Sequence, residues 1–224
     1  MRFQDAARDG RAVVYAGIQS DPLVERAATA LEHAGYAERV MARAVMNGET
    51  TDPTTWMAMF PTLFGPAATG ADREHAEAVL AASLEVAERG EQVRSQFRGA
   101  IVEALTARLL QRRVGRAAVR RERRVLFDGV RAEIHPYDVT VESEASPEAW
   151  DCKWGARGIG DDVLHQLDDA RAHAADEDVS LRAGLVIFDA ERSCRVRLGR
   201  LNAPHAETRI VCLETLDEIA EAAS

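Results

Sequence analysis

Lysine is almost missing from this chain: it occurs once in 224 residues, at Lys153, and the other 27 of the 28 basic residues are arginine. Arginine is a wide, permanently charged fork, whereas lysine is a compact point charge whose pKa burial can lower. A site that places one ammonium beside an attacking water needs the second kind of group. The ordinary alternative is a surface strand residue that escaped an arginine bias. Cysteine is scarce as well. Cys152, Cys194 and Cys212 are odd in number and lack C-x-x-C spacing, so they support neither a disulfide framework nor a zinc ribbon and read as reduced core thiols. The six histidines form no H-E-x-x-H or H-x-H pattern. No apolar run approaches the roughly 20 residues that span a bilayer, and the first residues lack the continuous apolar stretch of a secretion signal. A cytoplasmic location is expected. A hydrophobic content of 46% is that of a globular chain able to bury a core.

Charge is plentiful but unevenly placed. The net charge of −9 argues against indiscriminate coating of nucleic acid. Yet Arg108 to Arg131 hold nine arginines against Glu122 and Asp128, a local +7 that leaves −16 for the remainder. Such a run is ordinarily a solvated helix end and strand. Its position directly before the hairpin described next favours a surface for phosphate backbone. Arg112, Arg113, Arg116, Arg120 and Arg121 are the candidate contacts, with Arg157 further along the chain.

Ile134 to Glu142 and Ala149 to Trp154 are β-rich runs separated by the polar, proline-containing Ser143 to Glu148. Two such runs read as a hairpin. Side chains alternate across a strand, so Asp138, Thr140 and Glu142 share one face of the first run, and Asp151 and Lys153 share one face of the second. Trp150, Cys152 and Trp154 take the opposite face, where core packing is the first reading and stacking on bases the second. Two carboxylates and the single ammonium can thus converge.

Pro136-Tyr137-Asp138 followed by Asp151-Cys152-Lys153 resembles the signature of the PD-(D/E)XK nuclease superfamily, the restriction-endonuclease-like fold; Tyr137, between Pro136 and the acid, is a departure from it. The resemblance implies an α/β core of helix, three antiparallel strands, helix and strand in a mixed sheet flanked by helices, covering roughly residues 91 to 190. It implies a magnesium-dependent endonuclease, with manganese able to substitute, acting on nucleic acid with DNA favoured over RNA. Asp138 and Asp151 would hold the metal with the Cys152 main-chain carbonyl, and Lys153 would serve the attacking water. Glu103 reads as a solvated helix glutamate, but the resemblance offers it as a further metal acid on the first core helix, and Glu142 could take that place instead. Gln166, on the second core helix, matches a glutamine that approaches the active site, although Ala170 stands where a tyrosine commonly follows. Cutting both strands of a duplex takes two sites, so a homodimer is expected on the same ground.

Residues 1–90 read as a helical N-terminal region and 91–224 as the nuclease-like domain. Asp21-Pro22 and Thr51-Asp52-Pro53 are helix starts, a further helix covers Glu38 to Met46, and Pro66 to Gly70 is a linker. Arg11 to Ile18 is a strand or a helix. Trp56, Met57, Met59, Phe60, Leu63 and Phe64 form a dense apolar cluster expected in the core or, less readily, at a partner surface. Val93, Phe97, Ile101, Leu105 and Leu109 recur every four residues and mark a buried helical stripe. Arg116 to Phe127 reads as a strand turned by Asp128-Gly129. Asp161 or Asp162 caps a helix with Val163, Leu167, Ala170 and Ala174 inward. Leu181 to Phe188, Cys194 to Leu198 and Arg209 to Leu213 read as strands, and Thr215 to Ala223 as a terminal helix. Two rival functions stand beside the nuclease: a catalytically inactive protein that kept the fold as a nucleic-acid-binding or protein-interaction module, and a helical interaction protein whose partner binds residues 1–90.

Overall fold

A computed structural model describes residues 1–6, 10–131, 135–201 and 208–221. The chain forms two compact units, Gly10–Leu105 and Met1–Asp9 with Thr106–Ser224. The division falls after Leu105 rather than after residue 90, and the first residues return to the second unit. Their reading as helix is corrected accordingly: Arg2–Asp5 is strand β1.

The helical unit comprises α1 (Gly10–Gln19), α2 (Pro22–Glu32), α3 (Tyr36–Asn47), α4 (Pro53–Met59), α5 (Pro61–Phe64) and α6 (Gly70–Ala87), together with the first part of α7 (Glu91–Val114). Arg11 to Ile18 is thereby resolved as helix. The starts follow local chemistry. The Asp21 carboxylate accepts the Leu23 N–H at 2.8 Å beside Pro22, and Asp52 accepts from Thr54 and Thr55 beside Pro53, satisfying donors that a helix leaves open. α6 packs on α2 and α3, burying Leu23, Leu31, Met41, Met46, Val79 and Leu80. The apolar cluster after Pro53 is only partly core: Trp56 and Phe64 are buried, but Met59 is 60% exposed. Likewise Val93 leaves its stripe for solvent, while Phe97, Ile101, Leu105 and Leu109 are buried.

The sheet unit is mixed α/β. Its strands are β1, β2 (Val119–Phe127), β3 (Val130–Arg131), β4 (Tyr137–Val141), β5 (Glu148–Lys153), β6 (Arg182–Ile187) and β7 (Arg209–Val211), ordered β1-β2-β4-β5-β6-β7 with β3 pairing β2. β1, β2, β4 and β5 are antiparallel neighbours. β5 to β6 crosses through α8 (Asp161–Asp176), and a crossover of that length makes the pair parallel. Leu164, Leu167, Ala170 and Ala174 of α8 close one core with Val125, Phe127, Ala149, Ala183, Leu185 and Ile187. On β6, a Cβ at Gly184 would lie 2.5 Å from the Trp150 ring, so the bare glycine lets the buried indole lie flat against the strand.

Two expected elements differ. Cys194 to Leu198 is not a strand but part of α9 (Glu191–Leu198). The alternation of Cys194, Val196 and Leu198 with arginines mimics a strand, yet Val196 is 51% exposed and Glu191 pairs with Arg195 one helical turn on. The final segment forms only a turn of 3-10 helix, Leu216–Ile219, and positions 222 and 223 of the expected terminal helix lie outside the described residues. No helix among the described residues is long and apolar enough to cross a membrane.

Candidate active site

β4 and β5 set the geometry. Val139 lies opposite Trp150, Thr140 opposite Ala149 and Val141 opposite Glu148. Continuing that register puts Asp138 opposite Asp151, and directly opposed residues of an antiparallel pair point to the same side. The ladder ends there because a side chain replaces its next rung: Asp138 Oδ2 accepts the Cys152 N–H at 2.6 Å. Lys153, two residues past Asp151, returns to the same side and brings Nζ to 3.8 Å from Asp138 Oδ2. Asp138, Asp151 and Lys153 therefore line one cleft of about 100 Å³, with His135, Asp162 and Gln166 around them. That volume is well below the roughly 300 Å³ of a typical small-molecule pocket.

Burial pushes the Asp138 carboxyl above its ordinary range, and the Lys153 charge, the Cys152 N–H and the Arg121 charge pull it back only in part. At Asp138, then, neighbouring charges and the amide offset the effect of burial only in part.

A further acid joins them that the sequence pattern does not select. Glu122 stands between Arg121, paired with Val139, and Arg123, paired with Tyr137, which places it at the rung of Asp138. Its φ is +55°, in the left-handed region that a strand residue with a Cβ rarely adopts, so the backbone kinks within β2. A carboxylate oxygen of Glu122 lies within 4.8 Å of one of Asp138. In the sequence Glu122 reads as counter-charge within Arg-Arg-Glu-Arg-Arg, and the lone acid of that run is the only signal that could have marked it.

The other expected residues have partners of their own. Glu103 belongs to the helical unit, where it is 4% exposed and accepts hydrogen bonds from Tyr15 Oη and Gln19 Nε2, so it is not a solvated glutamate. Gln166 reaches the cleft, but its amide oxygen accepts the His135 N–H and its Nε2 donates to the His135 carbonyl, both at 3.1 Å. That two-point clamp ties α8 to the segment entering β4, so Gln166 both lines the cleft and holds the chain just before Asp138. The Cys152 thiol points to the Thr106 hydroxyl at 3.4 Å, and its main-chain amide serves Asp138. Glu142 pairs with Arg123 and lines a separate pocket with Phe3 and Pro147, away from the cleft. Trp150 is buried and Trp154 stacks on Phe188 at 5.0 Å, so core packing accounts for both.

Among the arginines, Arg112, Arg116, Arg120 and Arg157 are exposed, and the Arg121 charge reaches Asp138. Arg113 is the exception. Its guanidinium is 7% exposed and lies 2.5 Å from the buried Glu148 carboxylate, a structural ion pair rather than a phosphate contact.

The acids of the cleft, Asp138, Asp151 and Asp162, offer carboxylate oxygens, donors that hard divalent cations accept. Comparison of the chain with protein-family models, with curated proteins and with solved structures found no match.

Proposed function

We propose that the protein is a metal-dependent nuclease of the PD-(D/E)XK type that hydrolyses phosphodiester bonds, with DNA the favoured substrate over RNA. The observation that carries this reading is the meeting of Asp138, Asp151 and the only lysine of the chain on one side of two paired strands, with Nζ 3.8 Å from Asp138. The element order α7-β2-β4-β5-α8-β6 and the strand directions around it agree with the restriction-endonuclease-like core.

In this reading Asp138 and Asp151 would hold magnesium, aided by the Cys152 carbonyl, with Glu122 beside Asp138 as a further acid. A bound divalent ion supplies neutralisation of the scissile phosphate and acidification of a water. The protein supplies the rest. Lys153 orients the attacking water and offsets negative charge that grows on the phosphate, a role that counts most in a partly dry cleft. Gln166 keeps the Asp138 segment from drifting. Arg112, Arg116, Arg120 and Arg157 bind backbone phosphates independently of sequence. A cytoplasmic location and a homodimer belong to the same proposal.

The test is cleavage of single- and double-stranded DNA and RNA with magnesium or manganese by wild type, Asp151→Asn and Lys153→Ala. Wild type is expected to cut at least one substrate, and each variant to lose on the order of 100- to 1,000-fold in turnover while remaining folded. Cleavage by Lys153→Ala at the wild-type rate defeats the proposal. Metal and nucleic-acid binding without cleavage by wild type would favour the inactive module.

A further inference from the structure

The turn after β5 rests directly on the aliphatic stem of Lys153. A Cβ at Gly158 would fall 2.8, 2.9 and 3.1 Å from Cβ, Cγ and Cδ of Lys153, closer than carbon atoms pack without displacement. Glycine is needed here for space. The turn is itself held at both ends. Gly158 N–H donates to Gly155 O at 2.9 Å and Ile159 N–H to Ala156 O at 3.1 Å. Ala156 N–H donates to the buried Asp189 carboxylate at 3.0 Å, and Arg197 Nε donates to Ile159 O at 2.8 Å. On the strand side, Phe188 N–H donates to the Lys153 carbonyl at 2.9 Å. A four-carbon stem that would sample many rotamers on an open surface is thus backed by a strapped turn, on a residue whose main chain is itself anchored to Phe188.

We propose that Gly158 is a positioning residue for the Lys153 ammonium: the strap formed by residues 155–160 confines the stem so that Nζ stays on the Asp138 side of the cleft. The kinetic consequence rests on the nuclease reading, whereas the confinement of the amine does not.

Because Lys153 is the only lysine, acylation by an amine-selective reagent followed by peptide mapping reports this one side chain apart from the α-amine. In Gly158→Ala the added methyl displaces the stem. Lys153 is expected to acylate faster, and kcat to fall on the order of 100-fold with KM unchanged, as for a catalytic group misplaced by about 1 Å. Arg197→Ala, which frees the far end of the strap without filling the space, is expected to accelerate acylation to a lesser degree. Unchanged acylation and unchanged kcat in folded Gly158→Ala overturn the proposal. Should Gly158→Ala not fold, unchanged acylation in Arg197→Ala overturns it. If wild type cuts no substrate, the nuclease reading falls, and the acylation rates still decide the role of Gly158.

Discussion

Strand β5 carries two buried carboxylates three residues apart, and the protein treats them in opposite ways. Glu148, 2% exposed, is enclosed by the Arg113 guanidinium at 2.5 Å, the Trp150 indole N–H at 3.0 Å and Arg182 at 3.4 Å. Asp151, 4% exposed, shares its cleft with Asp138, and Asp138 in turn has a Glu122 oxygen within 4.8 Å and the Lys153 ammonium at 3.8 Å. Buried charge is tolerated where it is paired and hydrogen-bonded. At Glu148 the protein completes that pairing with arginine. At the other end burial still lifts the Asp138 pKa despite the charges of Lys153 and Arg121, and in the proposed reading a divalent cation would supply the remaining positive charge. The lesson is that burial alone does not mark a site: Glu148 is buried and fully paired, whereas at Asp138 the neighbouring charges offset burial only in part.

The largest effect expected from this comparison lies at the Glu148 end and concerns stability. Glu148→Ala leaves Arg113 buried without its anion and should cost about 3–5 kcal/mol in denaturant unfolding. Asp151→Asn should cost far less, because it keeps the side chain's size and polarity and strips no buried guanidinium of its anion. Equal losses from the two substitutions would break the contrast. A smaller effect is expected on nucleic-acid affinity. Arg112→Ala, Arg116→Ala and Arg120→Ala should each weaken binding uniformly across sequences and reduce the salt slope by about 1, whereas Arg113→Ala should act through stability. Filter binding over a salt series, beside melting curves, separates these outcomes.

What the sequence makes legible follows from how locally each feature is encoded. Period-two alternation in Tyr137–Val141 and Glu148–Lys153 is a property of the strand itself, so the hairpin and the shared side of Asp138, Asp151 and Lys153 can be read directly. Asp21-Pro22 and Asp52-Pro53 are local caps and are equally plain. Cys194 to Leu198 misleads because a helix whose only buried residue is Cys194 shows no apolar stripe, and its alternation with arginine imitates a strand. β1 is set by pairing with β2, more than 100 residues away, which no local pattern records. Glu122 escapes for a different reason: strand alternation assumes extended backbone, and a single positive φ redirects its side chain. Arg113 and Glu148 look like surface charges until the fold buries them together.

The most direct measurement of the central claim is manganese binding by electron paramagnetic resonance as a function of pH, for wild type, Asp138→Asn and Asp151→Asn. The sign follows from Asp138. Its raised pKa means that, without metal, ionisation costs stability as pH rises through that value, and that a proton competes with the cation as pH falls through it. Wild type is predicted to bind manganese at neutral pH, with affinity declining on acidification from above the ordinary carboxylate range, and both variants to lose that site. No binding by wild type, or binding unchanged in both variants, contradicts the account.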